Sequence, residues 1–316
     1  MTTSSATARA CSNIAFIKYW GNTNHDLRLP ANGSLSMNLE GLETVTTVTM
    51  DESLTSDVLV LNGHEQPAPA LERVSAHLDH LRHRADSKLH AVVESSNNFP
   101  TGAGIASSAS AFAALTVAAS HAIGLTLSEK DMSLMARLGS GSACRSIPGG
   151  FVEWHKGSSH ETSYAESIAA PDHWGLVDCV AIVSREHKAV GSTGGHRLAP
   201  TSPLQAARLA DTARRLAQCR QSILDRDFTP FAEVVEHDTL IMHAVMMASV
   251  PALIYWVPAT LRIIDSVRGW RLDGLPVCFT IDAGANVHVL TVSQHAMAVS
   301  TLLAGLEGIE QVLCAG

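Results

Sequence analysis

Strands and helices that mix without a regular strand–helix–strand alternation predict an α+β protein rather than a doubly wound parallel sheet. Two further observations support that reading. At roughly 150 residues per domain, the 316 residues suggest about two domains, with one large α/β domain as the alternative. Hydrophobic residues make up 46% and charged residues 16%, which supplies ample apolar side chain for packed cores and excludes disordered and fibrous classes. Lys plus Arg number 22 against 30 Asp plus Glu, a formal net charge of −8. An acidic chain without a basic block is a poor partner for nucleic-acid backbones. No apolar run approaches the ~20 residues that span a bilayer, since the small-residue run at 105–119 is broken by Ser107, Ser108, Ser110 and Thr116. The six cysteines are scattered without a C-x-x-C pair and read as reduced, mostly buried thiols. Lys18 interrupts the N-terminal apolar run, which argues against a secretory signal, so a cytoplasmic location is expected.

Taken in order, residues 44–50 (TVTTVTM) and 57–61 alternate as strands, with Asn62–Gly63 as the turn after them. A helix over 70–84 presents His77, His80 and His83 at three-residue spacing; without HExxH or completing carboxylates they read as a solvated face. A strand at 88–95 enters the turn SSNNFPTGAG, and helices follow over 107–123, closed by Gly124, and from Ser128 to Leu138. The Gly/Ser loop LGSGSACRSIPGG leads to a strand at 151–154. The polar stretch 155–174 is read as irregular and places the domain boundary, giving domains 1–174 and 175–316. Beyond it come a strand at 177–183 and helices at 202–224, 229–249 and 258–269. Strands at 277–281 and 287–292 flank the turn DAGAN, and a helix at 295–306 and a strand at 309–313 end the chain.

The most informative short segment is PTGAGIASSAS, 100–110. Gly102 and Gly104 let the backbone approach a ligand, and Ser107 and Ser108 open a helix whose free N–H groups favour an anion. Their hydroxyls suit phosphate oxygens or a magnesium ion. The segment is neither a Walker A loop nor a dinucleotide fingerprint; taken alone it reads equally well as a tightly packed strand-to-helix turn.

Its neighbours extend the pattern. SSNNFPTGAGIASSASAFAAL resembles the ATP-binding motif of the GHMP kinase superfamily, and NNFPT before the turn resembles its mevalonate diphosphate decarboxylase branch. NIAFIKYWG (13–21), SGSACRS (140–146) and FTIDAG (279–284) are similar to that branch's N-terminal, substrate-loop and aspartate motifs, with weaker matches in PANGSLSMNL and GSTGGHRL. The resemblance implies a two-domain GHMP kinase-like fold, ATP and Mg2+ as cofactors, a phosphorylated mevalonate as substrate, and a homodimer. The implied reaction phosphorylates a tertiary 3-hydroxyl, expels the new phosphate and releases CO2 to leave an alkene.

Carried onto this chain, the resemblance places Asp282 beside the 3-hydroxyl as base or orienting group. Lys18, a lysine inside an apolar run, needs an anionic partner, and the resemblance puts it near that aspartate. Arg145 is implied to clamp the C1 carboxylate, a positioning task that suits its bidentate fork. Substrate contacts are implied for Asn13, Tyr19, Asn22, Ser140, Ser142, Ser192, Thr193 and Ala283; ATP contacts for Asn97, Pro100, Gly102, Ala103, Gly104, Ser107 and Ser108, the last two also as magnesium ligands. Met242, Met246 and Met247 read as core filling and His243 as a structural histidine.

Two positions depart from the branch's pattern. Ala285 stands where a proline is usual, and Asn22 where KYWGK has a second lysine. In relatives that lysine faces the substrate's diphosphate, so the sequence predicts mevalonate 5-phosphate as substrate and isopentenyl phosphate as product. The alternatives are mevalonate 5-diphosphate, a 3-kinase that does not decarboxylate, and a silent metabolite-binding regulator. The presence of Asp282, Lys18 and Arg145 together favours the decarboxylase.

Overall fold

The computed structural model describes residues 3–99, 107–185 and 190–316. In chain order, β1 (Thr3–Ile17) passes through a short hairpin, β2 (Asn22–Asn24) and β3 (Leu29–Pro30), into the long β4 (Ser34–Asp51). Then come β5 (Val58–Leu61), β6 (His64–Glu65), α1 (Ala68–Ala85), β7 (His90–Asn97), α2 (Ser107–Ala122), α3 (Glu129–Gly139), β8 (Phe151–Trp154) and β9 (Ala165–Ala169). Apart from that hairpin, the strands of this half form one seven-stranded sheet in the order β6-β5-β7-β4-β8-β9, with β1 laid antiparallel along β4 from Thr3↔Asp51 to Ile17↔Leu35.

Strand β1 escapes sequence reading for a physical reason. Its early residues are small, and Ala10 packs on Ala113 and Ala114 of α2. Close approach of alanines replaces bulk, so the strand shows little hydrophobic signal. Helix α2 is itself buried on nearly every side, as its unbroken run of small apolar residues requires. The region 155–174, expected to be irregular, contains β9; its polar residues suit an edge strand, where Glu166 and Ser167 face solvent beside β8. His77 is buried edge-on to Phe112 with Nε2 2.8 Å from Thr116 Oγ1, so the solvated face expected there is left to His80 and His83.

The second half starts with β10 (Leu176–Ile182) and four helices: α4 (Ser192–Leu198), α5 (Gln205–Ala210), α6 (Thr212–Asp225) and α7 (Phe228–Met247). The single helix expected at 202–224 is thus two, broken at Asp211, whose carboxylate bonds Arg214 and Arg215. Next come α8 (Pro258–Leu272), β11 (Val277–Thr280), β12 (Val287–Val292), α9 (Ala296–Ala304) and β13 (Gln311–Ala315). The strands form an antiparallel sheet in the order β11-β12-β10-β13. Alternation along them splits two faces. Cys179, Ala181, Phe279 and Val289 meet α8 and α9, while Val180, Ile182, Cys278 and Leu290 meet Phe231 and Val235 of α7. That second cluster also takes in Ile14, Phe16, Leu35 and Met37 from the first sheet. One continuous core therefore carries the end of β1 to the end of β11. No helix among the described residues is long and apolar enough to cross a membrane.

Candidate active site

Lys18 is the first residue past β1, and its backbone is clamped on both sides. Its N–H donates to Asp238 Oδ2 at 2.7 Å, and its carbonyl accepts from Arg208 Nη2 at 2.6 Å and Asn32 Nδ2 at 2.9 Å. Asp238 pairs at 2.8 Å with Arg215, and both side chains are fully buried. Such a pair is tolerated because the remaining donors are met: Arg215 also bonds Asp211, Thr212 Oγ1 and the Arg208 carbonyl. With its stem fixed, Lys18 Nζ reaches Asp282 Oδ1 at 2.5 Å.

Asp282 follows β11. Thr239 of α7 holds the preceding residue twice, donating to Ile281 O and accepting from Ile281 N, both at 2.9 Å. His243 is buried against the same carbonyl at 3.3 Å, in agreement with a structural role. Burial pushes the Asp282 carboxyl up, but the charges of Lys18, His288 and Arg145 outweigh it and hold the group below the usual carboxylate range. The side chain is still 29% exposed, toward a cavity. Gly284 N–H, a conceivable ligand donor, instead donates to the Asp282 carbonyl at 2.7 Å.

The third component is the loop after α3, a 3-10 turn over Gly141–Ser146. Arg145 is buried on it, with Nη1 donating to Ser34 Oγ at 2.8 Å and Nε and Nη2 donating to Asn13 Oδ1 at 3.3 and 3.1 Å. Asn13 Nδ2 in turn donates to Ser142 O and Ser146 Oγ. Asn13, expected to touch substrate, is thus a bracket for Arg145 and its loop, and does not line the cavity. No carboxylate pairs with Arg145 among the described residues, and burial lowers its proton affinity.

These parts enclose a cavity of about 320 Å³. Of the residues expected from sequence, Lys18, Tyr19, Ser107, Ser108, Ser140, Ser142, Arg145, Ser192, Thr193, Asp282 and Ala283 line it. Asn22 does not: its Oδ1 accepts from Tyr19 Oη and its Nδ2 lies 3.3 Å from His25 Nδ1. Asn97 lines an adjoining apolar cavity of about 220 Å³ with Leu59, Leu61, Val74, Val93 and Leu115. Ser107, Ser108 and Arg73 border both cavities. Pro100, Gly102, Ala103 and Gly104 lie outside the described residues.

Sequence reasoning missed Arg28, Arg73 and His196, which also line the larger cavity, and took Met242 for core alone, whereas it does both. Nothing local flags the two arginines, since each sits in an ordinary polar stretch and only the fold turns it inward. His196 is stacked on Tyr19 at 4.1 Å between ring centroids, and burial pushes its pKa down to about 3. Its Nδ1 accepts from Gly21 N–H at 2.9 Å, which leaves the ring proton on Nε2 as a donor. Among the described residues the lining thus holds four cations, Lys18, Arg28, Arg73 and Arg145, against one carboxylate, Asp282. That balance suits a polyanion.

Residues 10–165 match the family model of the diphosphomevalonate decarboxylase-like N-terminal domain, and 179–311 that of the mevalonate 5-diphosphate decarboxylase C-terminal domain. A diphosphomevalonate decarboxylase of Candida albicans is 38% identical over 301 residues, 89% of this chain and 83% of that one. A structure of mevalonate diphosphate decarboxylase from Staphylococcus aureus superposes with a TM-score of 0.95 at 39% identity, covering 99% of this chain and 96% of that one. Another, described as MDDEF in complex with MVAPP, AMPPCP and magnesium, gives 0.94 at 42% identity, covering 99% and 97%. Two family models in sequence order, relatives at this identity and a common fold with GHMP kinase-type architecture agree with the constellation of Asp282, Lys18 and Arg145, and the chain belongs to the mevalonate diphosphate decarboxylase family.

Proposed function

We propose that the protein converts mevalonate 5-diphosphate and ATP to isopentenyl diphosphate, CO2, ADP and phosphate. The observation that carries this reading is the Lys18–Asp282 pair facing a cation-lined cavity that opens on an apolar one. The nucleotide base fits the apolar cavity, and its phosphates pass Ser107, Ser108 and Arg73 into the larger one. The 3-hydroxyl lies against Asp282 and attacks the terminal phosphorus of ATP, breaking the bond to ADP. The C3–O bond then breaks with the new phosphate as leaving group. The C1–C2 electron pair becomes the C2–C3 double bond, and C1 departs as CO2 while Arg145 holds its oxygens in line.

Asp282, kept ionised beside Lys18, is a weak base, so its main task is to orient the hydroxyl and take its proton as the O–P bond forms. Magnesium, when bound, neutralises charge on the transferring phosphates. No group of three His, Cys, Asp or Glu suited to a metal occurs among the described residues. The phosphates themselves would therefore supply most ligands, with the Ser107 and Ser108 hydroxyls at hand.

The diphosphate replaces the monophosphate expected from Asn22. Asn22 is engaged by Tyr19 and His25 away from the cavity, so its neutrality leaves the cavity's positive charge intact. The names of the relatives support the same substrate. Purified protein given ATP, magnesium and either substrate, with CO2 and ADP both measured, tests the reading. One ADP per CO2 and a higher kcat/KM for the diphosphate are expected. ADP without CO2 would reduce the protein to a 3-kinase, and preference for the monophosphate would restore the sequence-based expectation.

A further inference from the structure

The hairpin of β2 and β3 ends in an arginine that the reaction above does not use. Asn24 Oδ1 accepts from Leu27 N–H at 2.8 Å, which tightens the turn, and Arg28 follows with φ +48°, a left-handed backbone uncommon for a side chain of this size. Leu29 beyond it is buried, so the reversal is anchored on its far side. The guanidinium is then steadied at one point only, with Nε donating to Leu138 O at 2.8 Å near the end of α3. Its two terminal nitrogens have no hydrogen-bond partner, and no carboxylate pairs with it, among the described residues. A half-buried guanidinium with most of its donors unmet, beside a cavity, is a site waiting for an anion.

The other three cations among the described residues of the lining have duties. Lys18 is on Asp282, Arg145 is braced by Asn13 and Ser34 beside the reacting end, and Arg73 borders both cavities, where a nucleotide's phosphates would pass. Arg28 borders the larger cavity alone. Burial lowers the proton affinity of its guanidinium.

We propose that Arg28 is the specificity-determining residue for substrate length: it binds the terminal phosphate of the diphosphate and supplies the positive charge that Asn22, in the same hairpin, lacks. The inference rests on the decarboxylase reading for the identity of the ligand. An arginine fork accepts two oxygens of a terminal phosphate, whereas a monophosphate stops one phosphate short of it.

The test is Arg28→Met and Arg28→Lys, each assayed with mevalonate 5-diphosphate and with mevalonate 5-phosphate. Binding of both compounds to nucleotide-free protein is measured by calorimetry. Arg28→Met is expected to weaken diphosphate binding and kcat/KM by about tenfold to a hundredfold, the scale of one charge-assisted hydrogen bond. Monophosphate binding, the KM for ATP and kcat at saturation should stay within about threefold, and Arg28→Lys should recover part of the loss. The unchanged monophosphate affinity shows that the variant is folded. Equal losses for both compounds, or no loss for either, would overturn the proposal. Wild-type protein that binds the diphosphate but releases no CO2 with ATP would sink the decarboxylase reading instead, and the calorimetry would still decide on Arg28.

Discussion

Lys18 Nζ and Asp282 Oδ1 lie 2.5 Å apart although 264 positions separate them in the chain. One stands at the end of the first sheet and the other at the end of the second, and the shared core beneath them holds both strand ends. The contact fixes the charge state of the site. A carboxylate at this depth would otherwise tend toward its neutral form, and the lysine keeps it ionised.

Asp282→Asn is expected to bind nucleotide as the wild type does and to lose roughly a hundredfold or more in kcat, the scale of a positioned acid–base group. Lys18→Met should lose a comparable amount and should also raise the Asp282 pKa by removing the charge that lowers it. Stopped-assay CO2 release together with nucleotide titration checks both. A variant at Asp282 with wild-type turnover would remove the residue from the reaction.

The clamp behind Lys18 carries its own consequence. Asp238→Ala leaves Arg215 buried without its main partner and releases the Lys18 N–H. Removing one member of such a pair costs about 3–5 kcal/mol, and kcat should fall because Lys18 loses its fixed stem. Chemical denaturation gives the first quantity. A loss under 1 kcal/mol would mean that water replaces the carboxylate.

How much of this was legible beforehand follows from what is local. Asp282, Lys18 and Arg145 sit in contiguous segments, NIAFIKYWG, SGSACRS and FTIDAG, so the family resemblance could be carried onto them residue by residue. Strands rich in bulky or β-branched residues, such as β7 and β12, were equally visible. What stayed hidden depends on partners far away. Ala6, Ala8 and Ala10 make a strand because α2 presents alanines to them. The Asp238–Arg215–Arg208 clamp and the inward turn of Arg28 exist only once the core has formed. Asn22 misled for the same reason: its side chain is spoken for by Tyr19 and His25, contacts that spacing does not reveal.

Stability should fall on the acid side through buried histidines. Burial pushes His77 and His196 down to about 3 and His243 down to about 4. The unfolded chain takes up these protons near pH 6.5 while the folded protein refuses them. Each such group therefore removes up to about 1.4 kcal/mol per pH unit as the pH drops below 6.5 toward its folded value. The Asp282 pair adds to the loss at lower pH still, since its stabilisation disappears as pH falls through its depressed folded pKa. His288 acts in the opposite window: paired at 2.6 Å with Asp178 and raised, it stabilises fully below pH 6.5 and loses that contribution as pH rises through its folded value. Melting temperature should thus peak near neutrality and drop from pH 6 to pH 4.5. His77→Gln, which lies outside the cavity, should flatten that drop by about one third. A melting temperature level from pH 7 to 4.5 would show that these imidazoles are charged in the folded protein.

Gly141 tests how closely the turn over Gly141–Ser146 is fitted to the ring beside it. A Cβ there would lie 2.7 Å from Tyr19 Cε1 and 2.9 Å from its hydroxyl oxygen. Tyr19 cannot swing aside, because its ring is held edge-on by Trp154 at 4.7 Å and stacked by His196 at 4.1 Å. Gly141→Ala must therefore move the loop that bears Ser140, Ser142 and Arg145, and overpacking of this kind costs about 1–3 kcal/mol. The expected result is a loss of kcat/KM of about tenfold to a hundredfold with most of the effect on substrate rather than ATP, because the apolar cavity proposed for the nucleotide base does not include this residue. Adding Tyr19→Leu removes the ring edge that the new Cβ would meet, so the double variant should lose less stability than the sum of the two single losses. Wild-type kinetics in Gly141→Ala would show that the loop yields freely, and the tight placement of Arg145 would then lose its support.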